Sequence, residues 1–182
     1  MTGSLLQFYA EHHAKTQYGT GGFKKIAALL QALEGGRVKS LLDWGAGSQT
    51  LGRTIKQQRP EWEVVSYDPA VPGIDVLPDR QFDAVVSTDV LEHIPYEEID
   101  EAIEQILGLT KNVGYHYIAS GPASLLLPDG RNAHLIQENS KWWAEKFRSH
   151  GASIAEASDV ESRAGDVVVY RAAKIKLRKD RT

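Results

Sequence analysis

The sequence predicts an α/β fold: a doubly wound, mostly parallel seven-stranded sheet with helices on both faces and an antiparallel hairpin at one edge. Short apolar runs alternate along the chain with longer segments whose apolar residues recur every three or four positions. One apolar run ends in an acid and a glycine turn, Asp43 to Gly47, which leads into a helical pattern. The 182 residues contain no internal repeat and no linker, so we expect a single domain, 1–182.

Composition and charge restrict the classes of function. The formal net charge of -3 gives no overall electrostatic attraction to nucleic acid, so a nucleic-acid partner is not expected. There is no cysteine, which excludes disulfides, thiolate metal sites and a cysteine nucleophile. We find no signal-peptide pattern at the N-terminus and no apolar run long enough to cross a membrane. These features predict a cytoplasmic protein without a membrane partner.

The elements can be predicted in order along the chain. Helices are predicted at 5–15, 22–34, 49–58 and 95–107, and around 142–147. Strands are predicted at 38–44, 64–67, 74–76, 82–88, 113–120, 152–155 and 167–170. The last two strands form the edge hairpin, and the basic segment 174–181 is expected to be a solvated end.

The glycine turn at Gly45 and Gly47 has the form of a nucleotide cradle. Glycine lets the backbone approach a ligand closely, and the following helix start offers unpaired N–H groups. Asp43, at the tip of the first strand, indicates which nucleotide is bound, because a carboxylate repels pyrophosphate and attracts an ammonium group. S-adenosylmethionine (SAM) carries an amino group and an adenosine but no phosphate. A simple turn between strand and helix remains the alternative, since Gly-x-Gly alone is a weak signal.

A second acid follows the second predicted strand. Asp68 lies 21 residues after Gly47, where nucleotide-binding folds place a carboxylate that holds ribose hydroxyls. The alternative is that Asp68 and Pro69 only open a turn.

Three motifs carry a resemblance to a known family: 41–47, which contains the glycine turn, Tyr67-Asp68-Pro69, and 82–94 with the strand exit Asp89 to Ile94. With these motifs the chain from about residue 18 to 174 resembles the class I SAM-dependent methyltransferases of the type 11-like group, which have a Rossmann-like sheet. Segment 128–135 resembles a signature of bacterial and phage members. The chain departs from the family at Gln49, where a third glycine is usual, although Gly52 follows.

The resemblance implies roles for the acids and glycines at the strand ends. It places Asp43, Gly45 and Gly47 around the methionine part of SAM, Asp68 at the ribose, Asp75 near the adenine, and Asp89 where it orients the cofactor. It also implies that the N-terminal helices, residues 1–35, cap the cofactor site. Tyr18 and Gly19 would then close over SAM, with an ordinary turn between helices as the alternative.

Methyl transfer requires alignment of a nucleophile behind the activated methyl group and exclusion of water. A base is needed only where the acceptor loses a proton, as a hydroxyl does. His134, with Asn132, lies in the loop 121–139 after the fifth predicted strand, so both are candidates for catalysis or acceptor contact. His93 is a third candidate. The alternatives are a loop histidine bonded to backbone for His134, and helix-end packing for His93.

Other aromatic and histidine side chains are assigned structural places. We expect Trp142 in the core and Trp143 in the pocket wall. We also expect His12 and His13 to face solvent on the first helix.

Several acceptors and mechanisms are disfavoured. No Asn-Pro-Pro-aromatic segment follows the fourth predicted strand, which disfavours DNA amino-group methylation. No Asp-Asn dipeptide occurs, so the metal site of hydroxyl methylases of this fold is not expected. A small-molecule acceptor is therefore favoured. Two alternatives are a non-catalytic SAM- or nucleotide-binding protein of this fold and, less favoured, an NAD-dependent oxidoreductase, because Thr50 occupies its third glycine position.

Overall fold

A computed structural model describes residues 3–15, 26–35, 37–164 and 167–178. The helices in these ranges are α1 Gly3–Lys15, α2 Ile26–Leu33, α3 Thr50–Gln58, α4 Ile99–Leu109 and α5 Ser140–Ser149. The strands are β1 Ser40–Trp44, β2 Glu63–Tyr67, β3 Phe82–Thr88, β4 Thr110–Ala119, β5 Ile154–Ala164 and β6 Val167–Arg178. None of the helices in the described ranges is both long and apolar enough to cross a membrane.

The strands form one sheet in the order β2-β1-β3-β4-β6-β5. Strands β1 to β4 run parallel, with Asp43 of β1 level with Ser66 of β2 and Val86 of β3. Strand β6 runs antiparallel to both β4 and β5, so the hairpin lies at the sheet edge as predicted. The α/β class and the mostly parallel sheet are confirmed. The prediction of seven strands is wrong, because the described residues form a sheet of six.

The predicted strand 74–76 is a loop. Ile74 donates its N–H to the Val71 carbonyl at 3.2 Å, which closes a turn around Pro72 and Gly73. The Asp75 carboxylate accepts the Gly73 N–H at 3.1 Å and fixes the same turn. Val76 is 82% exposed, so its side chain is not part of the core. Local turn chemistry therefore prevails over the short apolar pattern, and β2 becomes the edge strand on this side of the sheet.

The basic segment is not a solvated end as far as it is described, since Lys174 to Arg178 belong to β6, which lies between β4 and β5. Ile175 and Leu177 are buried in the core, while Lys174 and Lys176 are half-buried. This alternation is the period-two pattern of a strand. The strand was not predicted from the sequence because every second residue from Lys174 to Arg178 is a lysine or an arginine.

Helices cover both faces of the sheet. Helices α4 and α5 pack on the face that carries Leu42 and Val85, and α2 and α3 pack on the face that carries Leu41. Helix α4 begins at Ile99, four residues later than expected, after a turn in which Glu98 donates its N–H to Pro95. A third cluster joins α1 to the loop 121–139 through Leu5, Tyr9, Ala70, Leu127 and Ala133.

The two adjacent tryptophans exchange their predicted places. Trp143 is completely buried in the core beside Phe147 and Ile103. Trp142 is half-buried and contacts Tyr96 edge to face, with ring centroids 5.6 Å apart. The order is set by the register of α5, whose buried face carries Ser140, Trp143, Ala144 and Phe147.

Candidate functional site

A cleft opens at the carboxyl ends of β1, β2 and β3, where parallel sheets place their ligand sites. Its volume, with the open mouth included, is ≈ 600 Å³. Helix α1 contributes Tyr9 and His13 to its wall. The other lining residues come from the strand ends and the segments after them: Asp43, Gly45, Ala46, Gly47, Leu51, Asp68, Ala70, Thr88, Asp89, Val90 and His93.

The glycine turn is fixed to the end of β2. The N–H groups of Gly45 and Ala46 both donate to the Tyr67 carbonyl, at 2.8 and 3.0 Å. Gly45 has φ +80°, and a Cβ built on it would lie 2.4 Å from a methyl carbon of Val90. Glycine is therefore required here by the fold itself. Because a Gly45 variant would disturb packing as well as binding, it cannot isolate the effect of the turn on a ligand.

Gly52 supplies the close contact that the missing third glycine would otherwise provide. It lies on α3, and a Cβ there would be 3.1 Å from the Ser66 hydroxyl and 3.4 Å from an oxygen of Asp43. Its N–H donates to the Asp43 carboxylate at 3.1 Å. The absence of side-chain atoms at Gly52 therefore lets α3 pack close to β1 and β2, despite Gln49 in the turn.

Asp43 is the most deeply buried acid of the cleft, with 2% of its surface exposed. Burial raises the pKa of Asp43 to about 7; the bond from Gly52 opposes this rise, and the nearby Asp68 adds to it. An ammonium group placed beside this carboxylate would stabilise its charged form. The position and chemistry of Asp43 therefore suit a cationic ligand group.

Asp68 connects the glycine turn after β1 to the turn after β2. One carboxylate oxygen accepts the Gly47 N–H at 2.8 Å, and the other accepts the Ala70 N–H at 2.9 Å. Each oxygen has a second lone pair, so these bonds leave capacity for a ligand hydroxyl. Asp68 is therefore a structural anchor of the turn whether or not it contacts a ribose.

The remaining predicted cofactor residues differ in location. Asp89 lies in the cleft wall with φ +55°, and its N–H donates to the Tyr117 carbonyl at 2.9 Å. Asp75 is exposed and lies outside the cleft lining. Tyr18 and Gly19 lie outside the described residues.

Of the three candidate catalytic residues, His93 lines the cleft, His134 contacts His93, and Asn132 bonds the backbone of His134. The His93 and His134 rings meet edge to face, with centroids 4.8 Å apart. His93 is buried, and its Nδ1 lies 2.9 Å from the Ala133 carbonyl and 3.0 Å from the Tyr9 hydroxyl. The pKa of His93 is lowered to about 4, chiefly by burial; the neighbouring His134 contributes to this lowering, and the Ala133 bond opposes it. The His93 imidazole is therefore neutral at pH 7.

The polar atoms of the Asn132 side chain bond within the loop. Its oxygen accepts the N–H groups of Ala123 and His134, each at 2.9 Å, and its NH₂ donates to the Ala123 carbonyl at 2.9 Å. These bonds join the two sides of the loop 121–139 and position His134. The geometry gives Asn132 a positioning function.

Three residues near the site were missed or misplaced by sequence reasoning. Tyr9 and His13 line the cleft from α1, so the expectation that His13 faces solvent is wrong. Burial lowers the pKa of His13, the Asp68 charge opposes this, and His12 reinforces it. Glu92 is fully buried, and its carboxylate accepts the Ala119 N–H at 3.0 Å. Helical spacing placed Tyr9 on one face of α1 but carried no information about which surface that face would meet.

Solved structures with this fold include several methyltransferases. The "DhpI-SAM-HEP complex" superposes with a TM-score of 0.68 at 16% identity, covering 98% of this chain and 100% of that one. The 1,6-didemethyltoxoflavin-N1-methyltransferase of Burkholderia thailandensis gives a TM-score of 0.64 at 16% identity, covering 94% and 87%. The magnesium protoporphyrin IX methyltransferase of Synechocystis PCC 6803, solved with bound SAH, gives 0.63 at 18% identity, covering 86% and 81%.

Sequence comparison agrees with this likeness in fold. No curated protein sequence matches the chain. A sequence family described as a methyltransferase domain matches residues 12–164, which include the glycine turn, all the acids of the cleft and the histidine pair. That match covers most of the 182 residues. The chain therefore belongs to the methyltransferase domain family.

Proposed function

We propose that this methyltransferase transfers the methyl group of SAM to a small-molecule acceptor. The observation that carries the proposal is that three carboxylates, Asp43, Asp68 and Asp89, line one cleft at the strand ends. SAM carries a sulfonium and an ammonium group and no phosphate, so an acidic cleft attracts its cationic groups. The same carboxylates repel a pyrophosphate, which argues against an NAD-dependent oxidoreductase.

Each lining element has a part in the proposed SAM site. Asp43 pairs with the ammonium group, and the turn at Gly45 and Gly47 borders the methionine chain. Asp68 uses its remaining lone pairs for ribose hydroxyls. Asp89 contributes to the far wall of the cleft. The Asp75 carboxylate accepts the Gly73 N–H in a solvent-exposed turn, so Asp75 is not assigned to the adenine.

The acceptor is proposed to bind on the side of the cleft that carries the two histidines. His93 lines the cleft, and His134 lies against His93 in the loop that packs on α1. Two structural neighbours are methyltransferases of magnesium protoporphyrin IX and of 1,6-didemethyltoxoflavin, so those proteins act on small molecules. If the acceptor here is a hydroxyl, a neutral His134 has a ring nitrogen that accepts its proton. Tyr18 and Gly19 remain proposed as closing residues.

Calorimetry with SAH and with NAD tests the cofactor. SAH should bind with one site per chain, and NAD should not bind. Asp43→Asn should weaken SAH binding by at least about tenfold, because it removes the charge that pairs with the ammonium group. Asp75→Asn is the matched control and should bind as the wild type does. Tight NAD binding, or equal SAH binding by the Asp43 variant, would contradict the proposal.

Turnover separates an enzyme from a binding protein of the same fold. The protein is incubated with methyl-labelled SAM and a fractionated metabolite extract, and label in new small molecules is measured. We expect labelled product with the wild type and less product with Asp43→Asn. Tight SAH binding without product in any fraction would favour the non-catalytic alternative.

A further inference from the structure

A second cavity lies beside the cleft, on the face of the sheet that α4 covers. Its volume, with the open mouth included, is ≈ 450 Å³, and it shares no lining residue with the cleft. Neighbouring residues at the strand ends are divided between the two: Asp43 and Asp68 line the cleft, whereas Trp44 and Tyr67 line the second cavity. Successive side chains of a strand point to opposite faces of the sheet. The ends of β1 and β2 therefore supply walls for two separate cavities.

Two aromatic residues form one wall of the second cavity. The rings of Trp44 and Tyr67 have centroids 5.9 Å apart and are inclined to each other by 51°. A cation is attracted to an aromatic ring when it lies within about 6 Å of the ring centroid, and tryptophan gives the strongest attraction. A single cation can therefore interact with both rings at once. Both residues are buried, so water screens this attraction less than it does at an exposed site.

The charges around the second cavity are negative. Glu98 and Glu101 line it from α4, and none of the described lining residues is a lysine or an arginine. The pKa of Tyr67 is raised, chiefly by burial, and the charges of Asp68, Asp75 and Glu101 contribute to the rise. The same negative field that disfavours a phenolate at this wall attracts a cationic ligand and repels an anionic one.

A buried donor at the second cavity points to an oxygen atom on the ligand. Nε1 of Trp44 is buried and has no hydrogen-bond partner among the described residues. A buried N–H group without an acceptor destabilises the structure, so such groups are rare. The other lining residues include apolar ones from three segments, Leu6, Pro69, Ile94 and Ala102, which suit contact with methyl groups. The walls thus combine aromatic rings, carboxylates, one donor and apolar surface.

We propose that the second cavity binds a small quaternary ammonium alcohol, with choline as the simplest case. The methylated ammonium group packs against Trp44 and Tyr67 and is attracted by Glu98 and Glu101. The hydroxyl oxygen accepts the Nε1–H of Trp44. This ligand is distinct from SAM and binds without any covalent step. It contacts the residues next to the glycine turn, because Tyr67 accepts the N–H groups of Gly45 and Ala46 through its carbonyl.

Calorimetry with choline and with 3,3-dimethylbutan-1-ol tests the class of ligand. The second compound has the shape and the hydroxyl of choline, but a carbon atom replaces the charged nitrogen. Choline should bind with one site per chain, and the uncharged analogue should bind at least about tenfold more weakly, because it lacks the attraction to the rings and carboxylates. No binding of choline, or equal binding of the two compounds, would overturn the proposal.

Excess SAH shows which of the two cavities choline occupies, since the acids of the cleft also attract cations. Choline should bind equally well with and without SAH, because the cavities share no lining residue. Displacement of choline by SAH would place it in the cleft and overturn the proposal. Choline binding by a protein that binds no SAH would contradict the SAM site alone, provided that the variants below place choline in the second cavity.

Glu101→Gln removes one charge from the wall of the second cavity. Glutamine keeps an oxygen that can accept the Gln105 side-chain amide, which donates to Glu101 at 3.2 Å. Choline binding should weaken about three- to fivefold, the range of a partly exposed charge pair. Glu104→Gln is the matched control, because Glu104 is exposed on the same helix but does not line the cavity. Equal choline binding by the wild type and the Glu101 variant would overturn the proposal.

The indole N–H signals of the four tryptophans report on the proposed hydrogen bond. In a ¹H–¹⁵N spectrum, the signal that is missing from Trp44→Phe belongs to Trp44. Choline should shift this signal more than the other indole signals, because its hydroxyl oxygen accepts the Trp44 N–H. Phenylalanine keeps an aromatic ring in the core, and the Glu101 variant tests the site without any change to the core. A Trp44 signal that stays unshifted at saturating choline would overturn the proposal.

Discussion

Asp43 supplies a carboxylate to the proposed SAM site, and burial of its charge lowers the free energy of unfolding. In the unfolded chain an aspartate titrates near about 3.9, whereas burial raises the Asp43 pKa to about 7 in the folded protein. Between these two values the folded state holds more protons than the unfolded state. The contribution of Asp43 to the free energy of unfolding therefore falls as pH rises from about 4 to about 7, and it levels off above that.

Asp43→Asn should remove this titration and raise stability at neutral pH. The difference in free energy of unfolding between variant and wild type should grow by up to about 1.4 kcal/mol per pH unit within that window. Urea unfolding of both proteins at pH 5, 6, 7 and 8 measures it. Asp68, the other acid that acts on Asp43, is present in both proteins, so its direct contribution largely cancels. A difference that is constant with pH would contradict the burial argument.

Helix α3 lies close to the sheet because Gly52 has no side chain. Gly52→Ala would place a methyl group 3.1 Å from the Ser66 hydroxyl and 3.4 Å from Asp43, so α3 or the Ser66 side chain must shift by a few tenths of an ångström. We expect a loss of about 1–3 kcal/mol in the free energy of unfolding, as for other overpacked cores. SAM binding should weaken too, because α3 carries the N–H bonded to Asp43.

Gly108→Ala is the control for that experiment. Gly108 is exposed on α4, with nothing within 4 Å of the added Cβ. Alanine there should stabilise the protein by up to about 1 kcal/mol, through helix propensity. Equal effects of the two alanines, measured by denaturant unfolding, would show that the contact at Gly52 carries little energy.

The side-chain amide of Asn132 adds to the backbone hydrogen bonds that join the two sides of the loop 121–139. Asn132→Ala removes three hydrogen bonds and should cost about 1–3 kcal/mol of stability. It should also speed tryptic cleavage after the exposed Arg131, because the two sides of the loop separate. Asn139→Ala, which removes the N-cap of α5, should cost about 1 kcal/mol without faster cleavage there. Lost methyl transfer with unchanged stability and cleavage would instead assign Asn132 a direct part in the chemistry.

Binding of a ligand in the cleft should raise the free energy of unfolding of the whole protein. It is walled by α1, three strand ends and the glycine turn, so a ligand there contacts several elements at once. SAH at about 100 times its Kd should stabilise the folded state by about 2.7 kcal/mol. For a chain of this size that corresponds to a rise in Tm of roughly 5–10 °C. Scanning calorimetry with SAH and with NAD measures it, and a rise with NAD alone would favour the oxidoreductase.

Most of the fold and the floor of the cleft could be predicted from sequence because both depend on local patterns. Asp43 lies near the end of β1, the turn at Gly45 and Gly47 and the acids Asp68 and Asp89 follow strands, and parallel strands bring their ends together. The predictions that were wrong concern contacts between residues far apart in the sequence. The position of His13 depends on where α1 packs, and the order of Trp142 and Trp143 depends on the register of α5. Glu92 was passed over because its partner His134 is far away in the chain.

The place of β6 inside the sheet constrains the order in which the fold can form. Strand β5 is made before β6, yet it meets the rest of the sheet only through β6, which pairs with both β4 and β5. During synthesis, β1 to β4 can assemble while the pairing edge of β4 stays open and β5 waits without a partner. Until residues 167–178 leave the ribosome, that edge is exposed to pairing with other chains. A translational pause in this interval should therefore increase aggregation of the nascent chain.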